Sequence, residues 1–225
     1  MKRTRTISPL SDLVHHQLSS YALAAGAAGV GALALVQPAE AKIIYTKTNV
    51  NVFNTQGYPL DLNNDGTTDF WFMGRTFFSD DCVSSTALNI DHASQRNKIR
   101  QGAGGAAALP AGVAVGPKGS FSGSLLMGRL LHPCGGTYPY GPWEGRGKGV
   151  THRYLGLRFV IRGKIHYGWA RLNFPDPTGA TMTGYAYETI PNKPIITGKT
   201  KGPDVIPVLP ATSPGTLGKL ALGRK

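Results

Sequence analysis

The fold is decided by three consecutive pieces of sequence: Tyr154-Leu-Gly-Leu-Arg-Phe-Val-Ile161, Arg162-Gly163 and Lys164-Ile-His-Tyr-Gly-Trp-Ala-Arg-Leu172. In the first and third pieces, large hydrophobic side chains recur at every second position, which is the period of a half-buried β-strand. Gly163 tolerates the positive φ that a two-residue hairpin turn requires. The stretch therefore predicts two antiparallel strands joined by a tight turn.

The same pattern continues on both sides of this hairpin. Residues 180–187 alternate again after the turn Asp176-Pro-Thr-Gly179, so they add a third strand to a β-meander. Upstream, residues 42–53 are rich in β-branched and aromatic side chains, and residues 58–62 and 69–73 form two short strands around a polar loop. Short strands with frequent turns predict an all-β fold, an antiparallel two-sheet sandwich of the jelly-roll-like kind.

The composition agrees with this fold class. Among 225 residues there are 30 Gly and 16 Pro, which excludes a helical bundle or a coiled coil because both residues destabilise helix interiors. Residues 101–119 are dominated by Gly and Ala and predict a flexible low-complexity loop. We expect one β-sandwich domain over residues 42–198, followed by a disordered, Pro-rich tail at 199–225.

The N-terminal segment predicts export. A basic start is followed by an uncharged run, Tyr21 to Val36, and by the small-residue pattern Ala39-Glu-Ala41. This order is typical of a secretory signal peptide, so residues 1–41 are expected to be removed. A retained membrane anchor is the alternative, but a spanning helix needs about 20 apolar residues. We expect a secreted or cell-envelope protein with no stable membrane span after cleavage.

Charge is distributed unevenly along the chain. The formal net charge is +12; residues 42–91 carry three basic and six acidic residues, whereas residues 92–225 carry 18 basic and four acidic ones. Such a basic region favours anionic partners at the cell surface, and we expect an anionic or neutral polysaccharide. Nucleic acid is not expected as a partner because the chain is exported. The alternative is that the basic residues only keep a Gly-rich surface soluble.

One loop has the spacing of a calcium-binding motif. In Asp61-Leu-Asn-Asn-Asp-Gly-Thr-Thr-Asp69, oxygen-bearing side chains stand at alternate positions around Gly66. Calcium takes six to eight oxygen ligands, which a curled loop of this kind supplies. The predicted ligands of Ca²⁺ are Asp61, Asn63, Asp65, Thr67 (by its carbonyl) and Asp69. Phe72 stands where an EF-hand has its bidentate Glu, so we expect weak affinity. The alternative is an Asn-Asp-Gly turn held by side-chain hydrogen bonds.

The mature chain contains two cysteines, Cys82 and Cys134. An even count in an exported protein predicts a disulfide. A metal site including His132 and His92 is the alternative, although no metal-ligand spacing supports it.

Aromatic residues crowd the segment Tyr138-Pro-Tyr-Gly-Pro-Trp143. Tyr138, Tyr140 and Trp143 are candidates for stacking on sugar rings, the alternative being a hydrophobic plug over one end of the sandwich. No nucleophile motif or zinc-protease motif is visible, and only four acidic residues follow position 91. We therefore expect a non-catalytic binding or scaffolding protein. The alternatives are a carbohydrate-binding module and a hydrolase whose site is not visible in the sequence.

Four motifs in order resemble a group of exported bacterial proteins of the PEP-CTERM-like kind. They are Asp61-Leu-Asn-Asn-Asp-Gly-Thr-Thr-Asp-Phe70, Tyr154-Leu-Gly-Leu-Arg-Phe159, His166-Tyr-Gly-Trp-Ala-Arg-Leu172 and Gly184-Tyr-Ala-Tyr-Glu-Thr189. The resemblance implies a secreted β-rich domain over residues 42–198, with no established catalytic residues to transfer. The C-terminal sorting signal of that group is not matched, because Leu217–Lys225 is too short to span a bilayer.

Overall fold

The computed structural model describes residues 42–79, 83–134 and 136–202, and in these ranges the chain is built almost entirely from β-strands. The strands are β1 (Ile43–Asn51), β2 (Tyr58–Leu60), β3 (Phe70–Ser79), β4 (Val83–His92), β5 (Lys98–Gly102), β6 (Gly105–Ala106), β7 (Ala114–Val115), β8 (Phe121–Ser122), β9 (Leu125–His132), β10 (Tyr138–Tyr140), β11 (Val150–Ile161), β12 (Lys164–Phe174), β13 (Thr181–Glu188) and β14 (Ile195–Ile196). A short 3-10 turn, Gly145–Gly147, is the only helical element in these ranges.

The larger sheet has seven strands and contains the predicted meander. Its order is β1-β13-β12-β11-β5-β6, and β8 pairs with β5. Ile161 lies opposite Lys164 across the hairpin, and both turn residues have positive φ, 47° at Arg162 and 79° at Gly163. These two values are those of the type I′ turn that matches the twist of a hairpin. The predicted turn and the three antiparallel strands are confirmed.

The smaller main sheet has five antiparallel strands in the order β10-β9-β4-β3-β2. Its two edge strands are each three residues long and have proline at the centre, Pro59 in β2 and Pro139 in β10. Because proline lacks a backbone N–H, it is tolerated in a sheet only where that donor is not needed by a neighbouring strand.

The core lies between these two sheets, as a sandwich requires. Each sheet turns alternate side chains inward, so that the five-stranded sheet contributes Phe72 and Ile90 and the seven-stranded sheet contributes Leu157, Phe159 and Leu172, all fully buried. The predicted all-β, antiparallel sandwich class is confirmed.

The outer face of the seven-stranded sheet is buried in its central part. The two-stranded ribbon of β7 and β14 lies over it, where Val115 and Ile195 pack in one cluster with Trp169 and Tyr154. The rings of Tyr154 and Trp169 meet edge to face, with centroids 5.1 Å apart, a favoured aromatic geometry. The centre of this sheet is therefore covered on both faces.

The prediction of a flexible loop at residues 101–119 is not what the structure shows. The segment holds β6 and β7, and Ala106 and Val115 within it are fully buried. Its small residues allow close backbone approach: a Cβ at Gly105 would collide with the carbonyl oxygen of Leu126, and one at Gly116 would crowd Pro194. The Gly/Ala composition here serves packing rather than flexibility.

The predicted signal peptide, residues 1–41, lies outside the described residues, as does most of the predicted tail, residues 203–225. Within the ranges that are described, no helix is long and apolar enough to cross a membrane.

Candidate functional site

The exposed large hydrophobic side chains of the described ranges lie on three strands of the five-stranded sheet. In the described ranges they are Phe77 and Phe78 on β3, Leu131 on β9, and Tyr138 and Tyr140 on β10. Phe77 is 64% exposed, and each tyrosine is 60% exposed. We call Phe77, Leu131, Tyr138 and Tyr140 the aromatic surface.

Strand register explains how this surface forms from distant parts of the chain. Phe77 pairs with Ser85, Ser85 with Leu131 and Leu131 with Tyr138, so these four residues form one row across four strands. Residues directly opposite one another share a face of the sheet. The row lies on the outer face, because Phe72 on the same strand is buried in the core and differs in parity from Phe77.

A second row, two residues along each strand, adds positive charge. Arg75 pairs with Ala87, Ala87 with Arg129 and Arg129 with Tyr140. Both arginines are exposed, whereas Ala87 between them is nearly buried. The outer face therefore presents aromatic rings beside two guanidinium groups on a regular sheet.

Trp143 does not belong to this surface. Its side chain is fully buried, its Nε1 donates a hydrogen bond of 3.0 Å to the Ala106 carbonyl, and its ring packs 6.0 Å from that of Phe174. The expectation that Trp143 stacks on a ligand is therefore corrected: it fills the core, as the alternative of a hydrophobic plug describes. Only Tyr138 and Tyr140 of the three predicted residues are open to a ligand.

The predicted calcium loop is an ordered turn held by its own side chains. The carboxylate of Asp61 accepts hydrogen bonds from the backbone N–H of Asp65 and of Gly66, at 3.2 and 2.7 Å. Asp65 accepts from the Asn63 amide at 2.8 Å and from the Thr67 backbone N–H at 2.9 Å, and these bonds lower its pKa, the Asn63 bond most. These are the side-chain hydrogen bonds of the alternative interpretation.

Asp69 is buried, whereas Asp65 is exposed. Asp69 is 6% exposed, and its two carboxylate oxygens accept hydrogen bonds from the Leu62 backbone N–H and from the Asn97 amide. Burial raises the pKa of Asp69 to about 6, the negative charges of Asp61 and Asp65 add to that rise, and the two hydrogen bonds oppose it. Asp69 therefore ties the loop to the core.

The donors in this loop fit calcium only in part. Asp61, Asn63 and Asp65 lie in one turn, but the inward position of Asp69 removes one predicted ligand. Over the ranges that the structure describes, no group of three His, Cys, Asp or Glu side chains is arranged to hold a metal ion.

Only one of the two cysteines of the predicted disulfide lies among the described residues. Cys82 lies outside the described residues, and Cys134 lies in the turn after β9, so the disulfide stays a prediction. The alternative metal site is not assembled: Ser84 at the start of β4 pairs with His132, whereas His92 is at the opposite end of β4.

One buried carboxyl group was not anticipated from the sequence. Glu144, next to Trp143, is 2% exposed, and its Oε1 has no hydrogen-bond partner among the described residues. A Cβ at Gly128 would collide with this oxygen, so the carboxyl lies against the backbone of β9. Burial, helped by the negative charge of Asp176, raises the pKa of Glu144 to about 7.

No family model matches this chain, and no curated protein or solved structure shows significant similarity to it. Function is therefore inferred from the geometry of the chain itself.

Proposed function

We propose that this chain is a non-catalytic binding protein of the cell envelope or the secreted fraction, and that its aromatic surface binds polysaccharide. The observation that carries this proposal is the row of exposed apolar side chains, Phe77, Leu131 and Tyr138, continued by Tyr140, on the open face of a sheet. Soluble proteins rarely expose contiguous apolar patches unless the patch binds something.

The chemistry of the surface favours a sugar polymer. Tyrosine presents an apolar ring and a polar hydroxyl, which suits a pyranose ring that is apolar on its faces and polar at its rim. A sheet face is regular and open, so it accommodates an extended chain rather than a single small molecule. Arg75 and Arg129 beside the rings add charge-assisted contacts for carboxylate or sulfate groups. These features favour an acidic over a neutral polysaccharide.

The same rows give no support to a hydrolase at this place. They contain serine, alanine, arginine, tyrosine, phenylalanine and leucine but no carboxylate, whereas most glycosidases place two carboxylates around the scissile bond. A binding role is the simpler proposal for this surface.

The test is a depletion isotherm on insoluble acidic and neutral polysaccharides. The double variant Phe77→Ala/Tyr138→Ala should bind at least about tenfold more weakly, because truncating exposed ring contacts at an interface costs over 1 kcal/mol. Tyr138→Phe, which keeps the ring, is the matched control and should bind nearly as the native chain does. Exposed positions tolerate such changes within about 0.5 kcal/mol of stability, so the variants should remain folded.

The salt dependence of binding distinguishes the contribution of the two arginines from that of the aromatic rings. Binding to the acidic polymer should weaken as salt rises, since screening lengths fall to about 8 Å at physiological ionic strength. Arg75→Gln/Arg129→Gln should remove much of that salt dependence. Unchanged affinity in the double aromatic variant would contradict the proposal, and release of soluble sugar would show a hydrolase instead.

A further inference from the structure

A cavity of about 370 Å³ lies beside the Asp61 turn, and its polar lining residues are Asn63, Asp65, Arg162, Lys164, His166 and Thr189. Its lining comes from the loop before β3, the β11–β12 hairpin and the residues after β13. The volume is in the range of small-ligand pockets, about 300 to 1,000 Å³. Phe70 and His92 mark this end of the five-stranded sheet, whereas Phe77 and Ser85 lie toward its other end, so the cavity is separate from the aromatic surface.

His166 supplies one fixed acceptor to this cavity. It is 5% exposed, and its Nδ1 lies 2.9 Å from the Glu188 carbonyl oxygen. A carbonyl oxygen only accepts, so Nδ1 carries the proton in the neutral ring and Nε2 carries the lone pair. Glu188 is itself held by the Ile190 backbone N–H and by Lys193 at 3.3 Å. The hydrogen bond from Nδ1 to the backbone carbonyl of Glu188 therefore fixes the orientation of the imidazole.

Asn63 supplies a second acceptor that the protein leaves unused. Its amide nitrogen donates to Asp65, but its Oδ1 is buried without a hydrogen-bond partner among the described residues. Leaving a buried acceptor without a hydrogen bond destabilises the folded chain. A ligand with hydroxyl groups would recover that cost. The two carboxylate oxygens of Asp65 each accept one hydrogen bond within the turn, and each keeps a second lone pair that can accept from a hydroxyl.

The opposite side of the cavity is cationic. Arg162 and Lys164 are both exposed and flank Gly163 in the hairpin turn. Arg162 has φ 47°, a left-handed conformation that favours Gly, Asn or Asp at this turn position. An arginine held in this conformation is a local cost, and such costs concentrate at functional positions.

We propose that this cavity binds a carboxylated sugar unit of the uronic acid class. Arg162 and Lys164 pair with the carboxylate, and Asp65, Asn63 and the Nε2 of His166 accept from ring hydroxyls. A neutral sugar leaves both cations unpaired, and a simple carboxylate leaves the acceptors unpaired. This proposal does not depend on the aromatic surface, because it concerns a different part of the molecule.

The test is an NMR titration of the intact chain with glucuronate and, at the same salt concentration, with glucose. Glucuronate should bind at least about tenfold more tightly, because its carboxylate forms charge-assisted hydrogen bonds with Arg162 and Lys164, and the His166 ring nitrogens should shift on binding. A short oligoglucuronate is compared with the monomer, because an internal unit of a polymer and a free sugar acid offer the same chemistry. Tighter binding of the oligomer identifies the polymer as the source, and equal binding identifies the free acid.

Two arginines provide a matched pair of variants. Arg162→Asn removes the cation while relieving the strained turn, so the chain should stay folded and glucuronate should bind at least about tenfold more weakly. Arg146→Asn makes the same change at another exposed residue with positive φ, 62°, that does not line the cavity, and binding should be unchanged. His166→Asn should weaken glucose and glucuronate alike.

Three results would overturn the proposal: no binding of glucuronate at millimolar concentration, equal binding of glucose and glucuronate, or equal losses in the two arginine variants. Loss of polymer binding in the aromatic variants, with glucuronate binding intact, leaves this inference standing. If the native chain does not bind glucuronate while the aromatic variants lose polymer binding, this inference is overturned without affecting the proposed role of the aromatic surface.

Discussion

Glu144→Gln should stabilise the protein at alkaline pH and remove part of its pH dependence. The side chain is 2% exposed, and its Oε1 has no partner among the described residues. A charged carboxylate in that position is costly because burial disfavours the ionised form. Glutamine has nearly the same shape and carries no charge at any of these pH values.

The size of the effect follows from the raised pKa. Burial raises the pKa of Glu144 from 4.5 to about 7, so in this interval the folded chain binds more protons than the unfolded chain. Stability must then fall as pH rises from about 4.5 to about 7, and the loss is complete above that range. At about 1.4 kcal/mol for each tenfold change in the ionisation constant, the total is about 3 kcal/mol.

Urea unfolding at pH 5, 6, 7 and 8 measures this directly. At pH 5 the native chain and Glu144→Gln should agree within about 1 kcal/mol, and at pH 8 the variant should be more stable by up to about 3 kcal/mol. Asp91→Asn, the same charge change on a partly exposed side chain of β4, is the control. If the free energy of unfolding of Glu144→Gln changes with pH as steeply as that of the native chain, the account of this carboxyl is wrong.

Further predictions concern the cysteines, the Asp61 turn and Trp143. Thiol titration of the denatured protein should find no free thiol, because an even number of cysteines in a chain that carries an export signal predicts a disulfide; two thiols per chain would exclude the bridge. Added calcium, up to about 10 mM, should raise the melting temperature, and Asp65→Ala should abolish the rise. A melting temperature that does not change with calcium would mean that the loop is a hydrogen-bonded turn and not a calcium site. Trp143→Ala should destabilise the domain by about 3–5 kcal/mol, measured by urea unfolding, because it empties a core position; a near-neutral result would mean that the ring is not buried.

The strands that the sequence predicted are those whose alternation is regular. The meander from Tyr154 to Tyr187 has a buried face and clear turns, so pattern and structure agree there. The sequence does not predict β4, because Ser, Thr, Ala and Asn occupy half of its ten positions, and Leu88 and Ile90 are the residues that it adds to the main core cluster. In β9 the paired leucines break the alternation, and the register shift between Leu88 and Asn89 of the adjacent strand shows why: a bulge inserts an extra residue.

The residues of the candidate site also differ in whether a local sequence pattern predicts them. Tyr138 and Tyr140 could be found because they are two residues apart in a Pro-rich segment, which predicts exposure on one face. Phe77 and Leu131 join them only through the pairing of four strands, and no local pattern contains that register. Trp143 lies three residues beyond Tyr140, after the strand has ended, so the chain turns its ring inward.

The prolines at the centres of β2 and β10 affect how readily a second copy of the chain could pair with the edges of this sheet. A sheet edge normally offers alternating N–H and C=O groups that recruit further strands, and exposed apolar residues nearby make such recruitment worse. Here both flanks of the five-stranded sheet end in a three-residue strand whose middle residue has no N–H. Pairing of a further strand is therefore disfavoured at Pro59 and at Pro139. The prolines therefore protect these two short stretches of edge, while the rings remain available to ligands that approach the face of the sheet.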